Sequence, residues 1–404
     1  MSAIAAIGTY LPPWSSGARR AKGPDEDALT MAVAAGRAAD PAASAKRVVM
    51  VSRDFPLLEG GNGAVLLAGL SLAADIMVTE VLGGAPAVLD QILAASDGTL
   101  VIAADDSDVA AGAGAVLVGA AGASLTPVAR QNRSLPTVTR AQDGSRHDYA
   151  DPRLQREVGV KSTLAQLKLD GTPVVAAVAG VKAAQLGGGF DTSEAVDGPA
   201  APAAGLIFAL AAAVEHGRSG LVVGVEQSSV TVARLVPGDA AVNRDEFPPT
   251  ELPKFRFTGG NGIPISLAAY ARAFEPKLRW EAAVFDERPG IDTNPQFPPR
   301  DRVESGGALA DAYRLEPLPR SGTVYTQTTI QIPVPDLPSP YSIAVVQLDD
   351  SPVRVLLKVT GGPAGSSAIG DAGSVVLRRI AMRSGVPDYG YSFWPGRNVE
   401  GASI

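Results

Sequence analysis

Cysteine is absent from all 404 residues, histidine occurs only twice, and aromatic residues make up 5% of the chain. Without a thiol there is no disulfide, no thiolate nucleophile and no thiolate-held metal, so sulfur chemistry is excluded outright. The lack of disulfides agrees with a cytoplasmic, reducing setting. Positive charge is also in deficit. The 35 Lys and Arg stand against 42 Asp and Glu, for a formal charge of −7, which argues against a nucleic-acid backbone as partner. No run of about 18 apolar residues occurs, so no membrane span is expected. The Ala-rich stretch 200–214 is short, has prolines near its start, and reads as a buried core helix. The opening Met1-Ser2-Ala3-Ile4 lacks the basic and apolar regions of a signal peptide. What the chain does have is 46% apolar and 19% charged residues, a globular balance with length for two or three domains.

Residues 1–236 alternate between two textures. Short β-branched runs (Val48–Val51, Leu100–Ile102, Val174–Ala176, Leu221–Val223) read as buried strands. Ala/Leu stretches of helical length lie between them (Asp27–Ala39, Ala85–Ala95, Leu154–Leu167, Ala203–Val214). This alternation predicts a mostly parallel sheet covered on both faces. The pattern also repeats after about 120 residues. Gly84-Ala-Pro-Ala-Val-Leu leads through a helix to the segment Gly98–Asp108. Ala201-Pro-Ala-Ala-Gly-Leu leads through another helix to the segment Gly220–Ser229. Each copy is followed by a further β-rich run, 114–119 and 230–236, so the sequence predicts a duplicated α/β unit.

From Pro237 the texture changes. Residues 237–300 are rich in proline and read as an extended connector with one short helix near Ser266–Ala273. After Ser321, five β-rich pieces separated by Gly, Pro and Asp turns predict a small closed barrel: Thr323–Ile332, Tyr341–Leu348, Val353–Val359, Ser374–Ile380 and Tyr389–Trp394. The division expected is 1–236, 237–320 and 321–398.

Ile4-Ala-Ala-Ile-Gly-Thr-Tyr-Leu-Pro12 and Gly23-Pro-Asp-Glu-Asp-Ala-Leu-Thr-Met-Ala32, with the duplication, resemble the HMG-CoA synthase and ketoacyl synthase III branch of the thiolase superfamily. Gly322-Thr-Val-Tyr-Thr326, Pro340–Asp349, Ile369–Val376 and Tyr391-Ser-Phe-Trp-Pro395 resemble the acyl-CoA-associated OB-fold family called DUF35. The resemblances imply a five-layer thiolase-like α/β domain followed by an all-β OB-fold barrel. Relatives of the barrel begin with a zinc ribbon held by four Cys and then a Phe-Pro-Pro-Arg stretch. Phe297-Pro-Pro-Arg300 is present, but no cysteine flanks it. No zinc or other cofactor is therefore expected, and the packing of Trp280, Phe285 and Phe297 would have to hold a ribbon together.

The thiolase resemblance implies a nucleophilic Cys at the start of a buried helix, where the dipole lowers its pKa. Laying Asp75–Gly84 on that segment puts Glu80 at or next to the nucleophile's position. A carboxylate does not replace a thiolate in thioester exchange. Its open roles are a base in C–C bond chemistry, a mimic of acyl charge, or a structural carboxylate that caps a helix or pairs with Arg. The family's oxyanion-hole His has no counterpart in Val178–Ala184, and its third residue has none in Val196–Ala200. Of the two histidines, His216 reads as a helix-end residue. His147 is expected in a polar loop, Ser145–Tyr149, before a helix, and His147, Asp148 and Tyr149 are the next candidates. The glycine-rich pieces near 58–63, 186–189 and 258–263 lack Walker or Rossmann spacing and read as turns.

The expected function is an accessory or scaffold subunit of a complex that makes or breaks C–C bonds in acyl-CoA thioesters, with its OB-fold barrel guiding the acyl-CoA. Its partner would be a lipid-transfer-type thiolase or a hydratase, its own ligand an acyl-CoA, and its thiolase-like domain would form a homo- or heterodimer. The alternative is a Cys-independent acyl-CoA aldolase or lyase using Glu80 or the His147–Tyr149 segment.

Overall fold

In the computed structural model, residues 2–17, 19–58, 60–107, 110–133, 138–141, 145–149, 151, 153–259, 274–335, 337–383 and 385–397 are described. The chain folds as two compact units. The first comprises Met1–Pro12, Ala34–Leu58 and Asp75–Phe247; the second comprises Pro13–Val33, Glu59–Ala74 and Pro248–Ile404. The units interleave in sequence. Segments 13–33 and 59–74, expected within a continuous domain 1–236, belong to the second unit.

The first unit opens with strands β1 (Ser2–Leu11), β2 (Arg47–Ser52), β3 (Met77–Leu82), β4 (Thr99–Ser107) and β5 (Ala110–Gly119). It continues with β6 (Ala123–Gln131), β7 (Val175–Ala179), β8 (Val196–Asp197), β9 (Gly220–Glu226) and β10 (Ser229–Val236). The first five are ordered β3-β2-β4-β5-β1 across the sheet and the second five β8-β7-β9-β10-β6. In each set the third, second and fourth strands run parallel, and the fifth is antiparallel to both neighbours. The duplication seen in the sequence is therefore a duplication of topology.

The two sets join where Ser2–Ile4 pair with Ala123–Leu125. One further strand, β11 (Ala241–Glu246), lies parallel to β1. These residues were expected in an extended connector. They form a strand instead because Val242 packs on the core and Arg244 binds Glu215 at 2.6 Å and Glu246 at 3.0 Å.

The α-helices include α1 (Ala28–Ala39), α2 (Asn62–Leu70), α3 (Ala85–Ala94), α4 (Ser162–Gln166) and α5 (Ala204–Glu215). Helix α4 continues a π-helical stretch, Leu154–Lys161, where one uniform helix was expected. Val88, Leu89 and Ile92 of α3 share a core with Leu206, Ile207 and Leu210 of α5, and with strand residues of both halves, among them Val101, Val116, Leu125 and Val222. A helix apolar on all sides, as α5 is, suits the centre of such a stack. Val160 and Leu164 cover the opposite face of the second half over Val178, Leu221, Val223 and Val232. On the first half, α1 passes over β1 at Gly8, where an added Cβ would stand 2.3 Å from the Ala35 carbonyl oxygen. Only glycine permits that approach. The layers run helix, sheet, central helix pair, sheet, helix.

In the second unit, β12 (Ser321–Ile330), β13 (Tyr341–Leu348), β14 (Arg354–Val359), β15 (Ala372–Arg383) and β16 (Val386–Pro395) close a barrel in the order β12-β13-β14-β16-β15. Strand β13 alternates strictly between half-buried and buried residues, as one face turned to the barrel interior requires. Before the barrel, Trp280 packs against Phe297 and Tyr391, with ring centroids 4.8 and 4.9 Å apart, and donates its indole N–H to the Pro319 carbonyl. Phe285 meets the edge of Tyr313 beside Ala283 and Ala310. The short helix expected at 266–273 lies outside the described residues.

Candidate functional site

In sheets with parallel strands, ligands gather at the carboxyl ends of those strands. In the first unit, the ends of β2, β4 and β9 carry Arg53 and Asp54, Asp105 and Asp106, and Glu226, beside the N-termini of α3 and α5. Neither helix supplies its own cap, because the N-cap residues are Gly84 and Ala203. The orphan N–H groups of a helix start need partners, and here each helix takes a carboxylate from the opposite half. Asp105 of β4 accepts the Ala203 N–H at 3.0 Å and the Ala204 N–H at 2.7 Å, at the head of α5. Glu226 of β9 accepts the Gly84 N–H at 2.9 Å, at the head of α3, and is ion-paired with Arg53. Since β4 and β9 are equivalent strands of the two halves, the exchange is reciprocal.

Asp105 is 1% exposed. Burial pushes its carboxyl up to about 7; the Ala204 and Ala203 N–H groups work against that shift, and the nearby Asp54 charge adds to it. Asp54 accepts the Asp106 N–H at 3.0 Å. Both helix N-termini, which are natural anion sites, are thus filled by carboxylates of the chain itself. The head of α3 is also crowded. A Cβ on Gly84 would stand 2.8 Å from the Pro202 carbonyl oxygen and 3.1 Å from the Glu226 carboxylate carbon.

The structure corrects the placement of Glu80. It lies not at the start of a helix but exposed in β3, the outermost strand of the first half, paired in register with Met50. The buried helix begins only after Gly84, because the β-branched run Val78–Val81 continues the sheet and Pro86 then favours a helix start. His147 lies in a small hairpin, Arg146–Asp148 against Val138–Arg140, rather than in a loop. His147 is exposed with its Nε2 3.1 Å from Ser145 Oγ, and Tyr149 is 65% exposed. Glu80 and the His147–Tyr149 pair stand on separate elements. His216 caps the C-terminus of α5, its Nδ1 2.6 Å from the Ala212 carbonyl oxygen.

Sequence reasoning did not single out Arg53, Asp105 or Glu226. A signal existed for the last two, since an acid closes the apolar strand in both copies of the repeat. Arg53 had none, because its partner is 173 residues away in sequence.

Comparison with known proteins adds the following. A family model described as the C-terminal OB-fold domain of ChsH2 matches residues 315–378. No curated protein sequence matches the chain. Among solved structures, similar chains include 3-oxoacyl-[acyl-carrier-protein] synthase III from Aquifex aeolicus (14% identity, TM-score 0.46, 58% of this chain and 99% of that one). OleA of Xanthomonas campestris is similar at 16% identity and TM-score 0.47, over 58% of this chain and 98% of that one. PksG, an HMG-CoA synthase from Bacillus subtilis, is similar at 15% identity and TM-score 0.46, over 58% and 79%. Among the described residues no helix is long and apolar enough to cross a membrane. The cysteine-free chain thus joins an α/β unit of two halves with the same strand order to a closed five-stranded barrel that overlaps the match to the ChsH2 C-terminal OB-fold domain.

Proposed function

We propose that the chain is an accessory subunit in acyl-CoA metabolism, a scaffold within a cytoplasmic complex that makes or breaks C–C bonds in acyl-CoA thioesters. One observation carries this reading. The two helix heads that would face a reacting acyl group are capped by Glu226 and Asp105, and the first is further neutralised by Arg53. A site that spends its anion-binding groups on its own carboxylates has little left with which to stabilise a developing oxyanion. The partner would be a thiolase of the lipid-transfer type or a hydratase. Strand β3 offers a surface for it, an outer sheet edge with Met77 64% and Leu82 70% exposed. Such an edge invites pairing with another chain.

The test is co-purification with such a thiolase or hydratase, together with turnover of β-hydroxyacyl-CoA by the isolated chain. A stable complex and negligible turnover alone are expected, and the double substitution Met77→Glu/Leu82→Glu should abolish the complex. Substantial turnover by the isolated chain would replace this reading with that of an autonomous lyase.

A second expectation concerns the head of α3. Gly84→Cys introduces a single thiol at the helix start, and mass spectrometry after incubation with acetyl-CoA should find it unacylated, because its Cβ collides with Pro202 and the Glu226 carboxylate. An acetylated Gly84→Cys protein would mean that the pocket still opens to thioesters.

A further inference from the structure

Two arginines of the second unit, Arg302 and Arg354, line a cavity of about 450 Å³ between the 290–297 segment and the turn that joins β13 to β14. This volume lies within the range of about 300–1,000 Å³ typical of small-ligand sites. Arg279, Arg288 and Arg314 of the same unit each hold a carboxylate, on Glu275, Glu304 and Glu316. The two cavity arginines do not. Among the described residues each donates its Nε to a neutral glutamine instead, Arg302 to Gln296 Oε1 and Arg354 to Gln347 Oε1, the latter at 2.8 Å.

The glutamines are themselves fixed. Gln296 donates its amide to the Asp292 carbonyl at 2.8 Å, and Gln347 donates to the Ser351 carbonyl at 2.6 Å. The Arg354 guanidinium also lies over the Tyr325 ring, 3.8 Å from its centroid. A neutral acceptor at Nε aims a guanidinium without neutralising it and leaves both terminal amino groups to donate. Such a fork matches the paired oxygens of an anion. Because both forks are aimed in advance, a ligand pays less to order them.

The lining also decides which anion fits. One of its residues is acidic, Asp292, whose Oδ1 accepts the Asn294 backbone and side-chain N–H groups, both at 2.9 Å. Two cations against one carboxylate leave a surplus of one positive charge, which a monoanion balances and a phosphate dianion exceeds. Ile291, Phe297 and Pro352 add apolar surface for a short hydrocarbon body.

We infer that this cavity binds a small aliphatic monocarboxylate, its oxygens on the Nη groups of Arg302 and Arg354 and its body against Ile291, Phe297 and Pro352. The site is independent of the scaffold reading, which rests on the first unit.

Ligand-observed NMR titration of the full chain with hexanoate, hexanamide and inorganic phosphate tests it. Hexanoate should bind with a dissociation constant below about 5 mM. Hexanamide, neutral and of nearly the same shape, should bind at least about tenfold more weakly. Inorganic phosphate should also bind more weakly than hexanoate. Arg354 is exposed, so its substitution should leave the melting temperature unchanged. Arg354→Gln removes the charge, whereas Arg354→Lys keeps the charge and loses the fork, and each should weaken hexanoate binding about fivefold or more. No binding of hexanoate, equal affinity for hexanamide, phosphate as the tighter ligand, or hexanoate affinity unchanged in either variant would overturn the assignment.

Discussion

Asp105→Ala is expected to be among the most damaging single substitutions in the first unit, and its cost should depend on pH in a defined direction. The carboxylate satisfies two buried N–H groups at the head of α5, a helix whose residues Leu206, Ile207 and Leu210 form the central layer. Each buried N–H left without a partner costs about 1–3 kcal/mol, so a loss of roughly 2–6 kcal/mol is expected at mildly acidic pH. Because burial raises the Asp105 carboxyl to about 7 in the folded protein, the native state holds a proton that the unfolded chain releases near 4. The stability gained this way is full below the unfolded value and disappears as pH rises through about 7. Asp105→Asn cannot titrate. Relative to that variant, the native protein should therefore gain about 2–3 kcal/mol between about pH 8 and pH 5. Urea unfolding followed by circular dichroism measures both effects. A wild-type stability parallel to that of Asp105→Asn over this range would show that the carboxyl titrates normally.

The second large effect is expected at Arg378 in the second unit. Its guanidinium is 2% exposed, lies 3.4 Å from the Glu26 carboxylate, itself 1% exposed, and sits over the Trp394 ring. Breaking a buried pair by removing one member leaves the other charge stranded, which costs about 3–5 kcal/mol. Arg378→Ala should therefore lose about that much, whereas Arg378→Met/Glu26→Gln, which removes both charges, should recover more than half. All three tryptophans, Trp14, Trp280 and Trp394, belong to this unit, so their fluorescence follows its unfolding directly. Equal destabilisation by the single and double variants would assign the loss to packing of the arginine stem rather than to charge.

The repeat from Gly84 to Gly119 and from Ala201 to Val236 was legible because each copy carries the same order of helix, apolar strand and closing strand. The shared strand order of the two halves follows from that repeat. The barrel was legible from five β-rich runs, and its strands fall where those runs lie. Less was legible at the strand ends. Alignment to a family motif drew attention to Glu80, but the β-branched residues around it extend an edge strand, and the helix waits for Gly84 and Pro86. The same linear view kept 241–246 in a connector, although one valine on the core and an arginine between two glutamates suffice to make it a strand.

Local information fixed the main strands and helices of the repeat, the doubling of the α/β unit, the five-stranded barrel and the impossibility of thiol chemistry, since each depends on residue identity or on periodicity within a few turns. Folding in three dimensions settled which carboxylate faces which helix head. Asp105 with Ala203, Glu226 with Gly84 and Arg53, and Arg378 with Glu26 are separated by about a hundred residues or more in sequence. Electrostatic partners are chosen by distance and burial through space, and a one-dimensional pattern carries neither.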